Sequence, residues 1–207
     1  MKRACRLFAP LALSAALAMT GACSILPKGE PLDVYRLPVN QAGATSQALP
    51  WSLQLLKPQA SDALNSARIA VLPQGNLISS YKASRWSDPA PILLRNRLLD
   101  GFQRDGRVQL LSTDDSNLQT DLALGGDLQA FQTEYQGSAA QVVIRLDARL
   151  IRGNDQKILA SRRFEVRQPL ADTRVPAVVT GFGQASDALT RQVVDWAVGQ
   201  GNRALKH

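Results

Sequence analysis

Between Gln141 and Gln168 the chain alternates in a way that only a sheet with two unlike faces satisfies. Val142, Ile144, Leu146, Ala148 and Leu150 fall on one side, and Val143, Arg145, Asp147 and Arg149 on the other. The following run repeats the pattern, with Ile158, Ala160, Phe164 and Val166 opposed to Ser161, Arg163, Glu165 and Arg167. Period two puts each set on one face of a pleated strand. With Asp121 to Tyr135 ahead of them, these runs predict three long strands: Asp121 to Tyr135, Gln141 to Arg152 and Lys157 to Gln168. The connections Gln136-Gly137-Ser138 and Gly153-Asn154-Asp155 are short and turn-rich, so the strands form an antiparallel meander. One face is buried and the other charged in mixed sign. That mixed face reads as solvated surface, with a docking face as the alternative.

The apolar face needs a cover, and the sequence supplies two helices. Asp172 is placed to cap the last one, with Pro176 in its first turn. Val175, Val178, Val179, Phe182, Ala185, Leu189, Val193 and Trp196 form its stripe, which reads as core rather than lipid-binding surface. Gly181 and Gly183 interrupt it at a cost of about 1 kcal/mol each relative to Ala, leaving close helix-to-sheet contact and functional flexibility as the two explanations. The earlier helix starts at Asp88 as N-cap and Pro89 as first helical residue. It buries Leu94, Leu98 and Phe102, with Arg95, Arg97, Gln103 and Arg104 for its wet side.

Before that helix, shorter strands are expected at Asp33 to Leu37 and Trp51 to Lys57. Arg68 to Leu72 and Leu77 to Tyr81 form a hairpin around Pro73-Gln74-Gly75-Asn76, and Val108 to Leu111 is a further strand. Val39 to Pro50 reads as a loop. Arg85 and Trp86 sit at the start of the first helix, where Trp86 either plugs the core or joins Arg85 at a partner-facing edge. The fold class is α+β: a mixed, largely antiparallel sheet covered by two main helices, in one domain over residues 33–200, with 201–207 as a tail.

What precedes that domain decides its location. Lys2, Arg3 and Arg6 lead into the apolar run Leu7 to Met19, the shape of a secretory signal, too short to span a bilayer. Met19-Thr20-Gly21-Ala22-Cys23 resembles the bacterial lipobox, with Thr20 where Leu is commoner. The resemblance implies cleavage between Ala22 and Cys23, and a diacylglycerol and an N-acyl chain on the Cys23 thiol. Residues 1–22 are then the signal peptide and 23–32 a lipidated N-terminus with a short polar tether. An ordinary cleaved signal is the alternative. Cys5 leaves with the signal and Cys23 is capped, so the domain is held by its core without a disulfide. Of the 207 residues 185 remain, with 21 Lys and Arg against 17 acids, a formal charge of +4. That excess suits a site beside anionic headgroups and is too small and scattered for nucleic acid.

No constellation for catalysis is legible. The one histidine is His207 at the end of the chain, and there is no nucleophile elbow or phosphate-binding loop. Asp114 and Asp115 are adjacent carboxylates, read as a solvated turn over a weak calcium or magnesium site. No catalytic residue, metal or dissociable cofactor is expected.

The order of these elements carries a family resemblance. Cys23 is followed by the Tyr35-x-Leu37 strand, a second strand ending at Pro58, a hairpin, and Trp86-x-x-Pro89 leading to Leu94 and Leu98. A meander and a final helix with Trp196 complete the series. From about Tyr35 to Trp196 this resembles the ABC-type transport auxiliary lipoproteins. The resemblance implies a non-enzymatic lipoprotein anchored in the inner leaflet of the outer membrane, facing the periplasm, as favoured by Ser24 after the lipidated cysteine. Its implied partners are a mammalian-cell-entry (MCE) domain protein and ABC transporter subunits that move phospholipids or other hydrophobic molecules between the membranes. A homo-oligomer is left open. The alternative is a lipid-tethered structural adaptor that regulates a cell-wall synthase. That reading needs a long tether, whereas about ten residues reach on the order of 35 Å.

Overall fold

A computed structural model describes residues 31–39 and 48–205. Ala22, Cys23, the signal, most of the tether, most of the Val39 to Pro50 loop and His207 lie outside the described residues.

The meander is the scaffold. Strands β7 (Leu122–Gln136), β8 (Ala139–Arg152) and β9 (Ile158–Leu170) pair antiparallel along nearly their whole lengths. The β7–β8 hairpin turns on two residues, Gly137 and Ser138, and Gly137 takes the positive φ (62°) that a tight hairpin asks of its first loop residue. Val142, Ile144, Leu146, Ala148 and Leu150 are all buried, as their alternation requires.

The other edge of β7 carries short strands that join it end to end, all parallel: β2 (Leu49–Leu55) at Leu122 to Leu124, β3 (Gln59–Ala60) at Asp127 and Leu128, and β4 (Arg68–Gln74) at Gln132 to Glu134. Two wings extend from there. Strand β6 (Val108–Thr113) lies parallel to β2. Strand β5 (Leu77–Trp86) is antiparallel to β4, and β1 (Asp33–Tyr35) is parallel to β5. The sheet is therefore mixed, with the longest pairings antiparallel, and the domain is α+β.

Several boundaries differ from the sequence expectation. Strand β5 runs on to Trp86, five residues beyond the expected Tyr81. Opposite Ala70 and Arg68 it slips from Ser80 to Arg85, and Ala83 takes φ 51°, so an irregularity resets the alternation and hides the second half of the strand. Pro73 lies within β4 rather than in the turn. Its missing N–H interrupts nothing there, because pairing to β7 has ended at Leu72 and the ladder to β5 is irregular.

Helix α1 (Ala90–Asp105) and helix α2 (Val175–Ala204) lie side by side under the sheet, α1 against β6 and α2 against β8 and β9. Neither expected cap forms. Pro89 occupies the α1 N-cap, and Asp88 accepts from the Ser87 hydroxyl instead. Arg174 occupies the α2 N-cap, and Asp172 accepts from the Arg174 backbone N–H two residues on, a local turn that competes with capping. Helix α2 also continues to Ala204, past the expected domain end. Gly201 is buried where a Cβ would lie 2.8 Å from Trp51 Cζ2, and the Trp51 indole donates to Asn202 at 3.0 Å.

The core centres on Trp86, Phe131 and Phe182, which meet with ring centroids 4.8 to 6.1 Å apart. Phe164 and Trp196 form a second edge-on pair at 5.5 Å. Gly181 and Gly183 are explained by close packing: a Cβ at Gly181 would overlap Leu170, and one at Gly183 would press on Pro38 at 3.1 Å.

Candidate anchor-proximal surface

The first described strand is held by the elements around it. Strand β1 pairs in register with the end of β5, Val34 with Arg85 and Tyr35 with Trp86. Alternation sends the Tyr35 and Trp86 side chains inward and those of Val34 and Arg85 outward. Trp86 is 0% exposed, so of the two residues expected at a partner-facing edge only Arg85 offers its side chain to solvent.

Beyond β1 the chain is held from below. The Arg97 guanidinium, on α1, donates to the carbonyl of Leu37 at 3.1 Å and to that of Pro38, and pairs with Asp187 of α2 at 2.8 Å. Arg97 is 3% and Asp187 6% exposed. One side chain thus ties together both helices and the first segment after the tether. Burial pulls the Arg97 pKa below its usual value, and the Asp187 carboxylate opposes this.

Arg95, two residues earlier, is also buried, and it reaches the β6–β7 loop at Asp114 (2.6 Å) and Asp115 (2.8 Å). Burial again opposes its charge, but bonds from Asp115 and Asp114 outweigh it and raise its pKa. Asp114 also accepts from the Lys57 backbone N–H, and with Arg95 this overcomes burial to hold its carboxyl below the ordinary range. One expectation is corrected here: Arg95 and Arg97 are not on the wet side of α1, because carboxylates from elsewhere in the chain pair with both. Asp114 and Asp115 form an exposed turn, as expected, and they also clamp that loop to the helix. Among the described residues no cluster of three or more His, Cys, Asp or Glu has a metal-holding arrangement.

The outer sheet face has two parts. On the meander, Asp127 pairs with Arg149, Asp147 with Arg163, and Glu165 with both Arg145 and Arg167. On the β1–β5–β4 wing, Arg85 lies between Val34 and Arg68 in register, and all three are exposed. At the far end of that wing Leu77 and Ile78 are exposed beside the Gly75-Asn76 turn. The Arg97 clasp and the Arg68–Arg85 pair escaped sequence reasoning. An arginine in the apolar half of a helix was the one available sign of the first, and nothing local signals the second. No helix among the described residues is long and apolar enough to cross a membrane.

Comparison with known proteins agrees with this architecture. A crystal structure of the protein XCC0632 from Xanthomonas campestris superposes with a TM-score of 0.78 and 27% identity, covering 84% of this chain and 99% of that one. A second crystal structure matches with a TM-score of 0.61 at 17% identity, over 80% and 98% of the two chains, a likeness of fold alone. The protein bll6063 of Bradyrhizobium diazoefficiens is 30% identical over 164 residues, 79% of this chain. This chain spans 43% of the length of that relative. The family model of the ABC-type transport auxiliary lipoprotein component matches residues 35–194, from the clasped β1 segment into the second half of α2, and the chain belongs to that family.

Proposed function

We propose that this protein is a non-catalytic, outer-membrane-anchored lipoprotein that faces the periplasm and serves an ABC transport system containing an MCE-domain protein. Its cargo is phospholipid or another hydrophobic molecule moving between the membranes. The observation that carries this reading is the family match over nearly the whole described domain, preceded by a lipobox whose cysteine lies ten residues before β1. Cys23 carries the diacylglycerol and N-acyl chains. A single acyl chain holds a protein only marginally, whereas two or more give stable anchorage.

The clasp supports the same reading mechanically. A pull on the tether reaches β1, and Arg97 and Asp187 pass it to both helices, so the anchor is coupled to the body of the domain.

Crosslinking in intact envelopes, followed by affinity capture and mass spectrometry, tests the assignment with Cys23→Ala as the unanchored control. Recovery of an MCE-domain protein or ABC subunits, reduced in the control, is expected. Recovery of peptidoglycan synthases without any transporter component overturns it in favour of a cell-wall adaptor.

A further inference from the structure

Arg68 and Arg85 face each other across the β4–β5 ladder, and Val34 is the partner of Arg85 on the other side. Residues in register leave the same sheet face, so two arginines are neighbours on it. Like charges directly opposite one another are destabilising. On the meander the arginines of this same face meet carboxylates. Here Arg68, Arg85 and Arg36 make no ion pair with any described residue. No described residue offsets that repulsion.

The neighbours of the pair narrow what would account for it. Leu32 and Arg36 lie just beyond the two ends of β1, two residues to either side of Val34, and Leu32 and Val34 are each 51% exposed. Guanidinium forks match phosphate oxygens two at a time, and short apolar side chains at their border suit the boundary between headgroups and acyl chains. Position adds a second constraint. Eight residues, hence nine residue steps, separate Leu32 from Cys23, a reach of at most about 32 Å. No other described strand is joined to the anchor by so short a chain.

We propose that the outer face of the β1–β5–β4 wing docks on the anionic leaflet that holds the anchor, with Arg68 and Arg85 on lipid phosphate and Leu32 and Val34 at the acyl boundary. This rests on lipid anchoring at Cys23. The exposed apolar pair and the short tether favour a lipid surface over an acidic protein. Docking fixes which face of the domain meets the leaflet.

The test uses the mature lipidated protein carrying Val34→Cys labelled with an environment-sensitive fluorophore, on phosphatidylcholine vesicles with or without phosphatidylglycerol and with quencher-bearing lipids. Ser161→Cys, exposed on β9, is the control. Quenching at position 34 that requires phosphatidylglycerol and is absent at position 161 supports docking. At about fivefold for each charge, Arg68→Gln with Arg85→Gln lowers the docking constant roughly 25-fold, and high salt abolishes it. Vesicle-bound protein without quenching at position 34, or with equal quenching on neutral vesicles, overturns the proposal. So does an emission shift with polyglutamate and none with vesicles, which would assign the face to an acidic protein. Failure of the anchor reading appears separately, as a mature mass without acyl chains. Anionic vesicles added to that unanchored protein still decide the docking by the same emission shift.

Discussion

The meander and the wing share one sheet face and carry arginine in opposite ways. Across β7, β8 and β9 a cation is answered by an anion on the neighbouring strand, as with Arg163 on Asp147 and Arg145 on Glu165. Across β4, β5 and β1 arginine is set against arginine. Both parts are charged and solvated, so neither composition nor alternation separates them. Register does, because it decides which charges become neighbours. A face neutralised within itself has little left to offer a partner, whereas the wing keeps its charge available.

The largest effect lies beneath that face and sets the scale for the rest. Asp187→Ala leaves the buried Arg97 charge without its carboxylate and should cost about 3–5 kcal/mol in urea or thermal unfolding. The loss should come with faster proteolysis around Leu37 and Pro38 if the clasp holds that segment. An unfolding curve that moves as little as a surface substitution would mean Arg97 is neutralised some other way.

Asp114→Ala is intermediate. Arg95 keeps Asp115, but this buried guanidinium loses its charged hydrogen bond to Asp114, so roughly 1–3 kcal/mol should be lost. Calorimetry compares it directly with Asp187→Ala, and a larger loss here would reverse the contrast between the two helix arginines.

Acid should erode the meander and spare the wing. Hydrogen bonds from Arg163 hold the Asp147 carboxyl below its usual range, and those from Arg145 do the same for Glu165. A depressed folded-state pKa contributes stability above the unfolded value near 4, and this is lost as pH falls through the folded value. Stability measured from pH 6 downward should therefore decline below about pH 4, and less steeply in Asp147→Asn. An unchanged slope in that variant would show that the ladder charges are not coupled to folding.

The smallest effects have opposite signs and give the sharpest comparison. Asp147→Asn should cost at most about 1 kcal/mol, less in high salt, as expected of exposed ion pairs. Arg85→Glu, by contrast, sets an anion opposite Arg68 and should stabilise by roughly 0.2–1 kcal/mol. If Arg85→Glu destabilises instead, the wing arginines have a structural partner and the distinction between the two regions falls.

Much of the fold was legible in local pattern. The three long strands lie within two residues of their expected ends, and the apolar stripes of both helices are buried from Leu94 to Phe102 and from Val178 to Trp196. Period-two and period-3.6 burial are local properties and survive in one chain read alone. The candidate site was less legible. Arg97 falls in the apolar half of its helix, but its partner is not legible until Asp187, ninety residues away, is brought beside it. Trp86 read first as a core plug and second as a contact, and the enclosure by Phe131 and Phe182 bears out the plug.

By itself the sequence determined the α+β class, the meander with its two unlike faces, and the helices that cover it. The tertiary structure alone decided that three short strands share one edge of β7 in parallel, that Arg95 and Arg97 are interior, and that Arg68 and Arg85 are partners in register with no ion pair to a described residue. The physical reason is range. Burial periodicity is set by neighbours within a turn or a strand, whereas the energy of a charge depends on what long-range register places within a few ångströms of it.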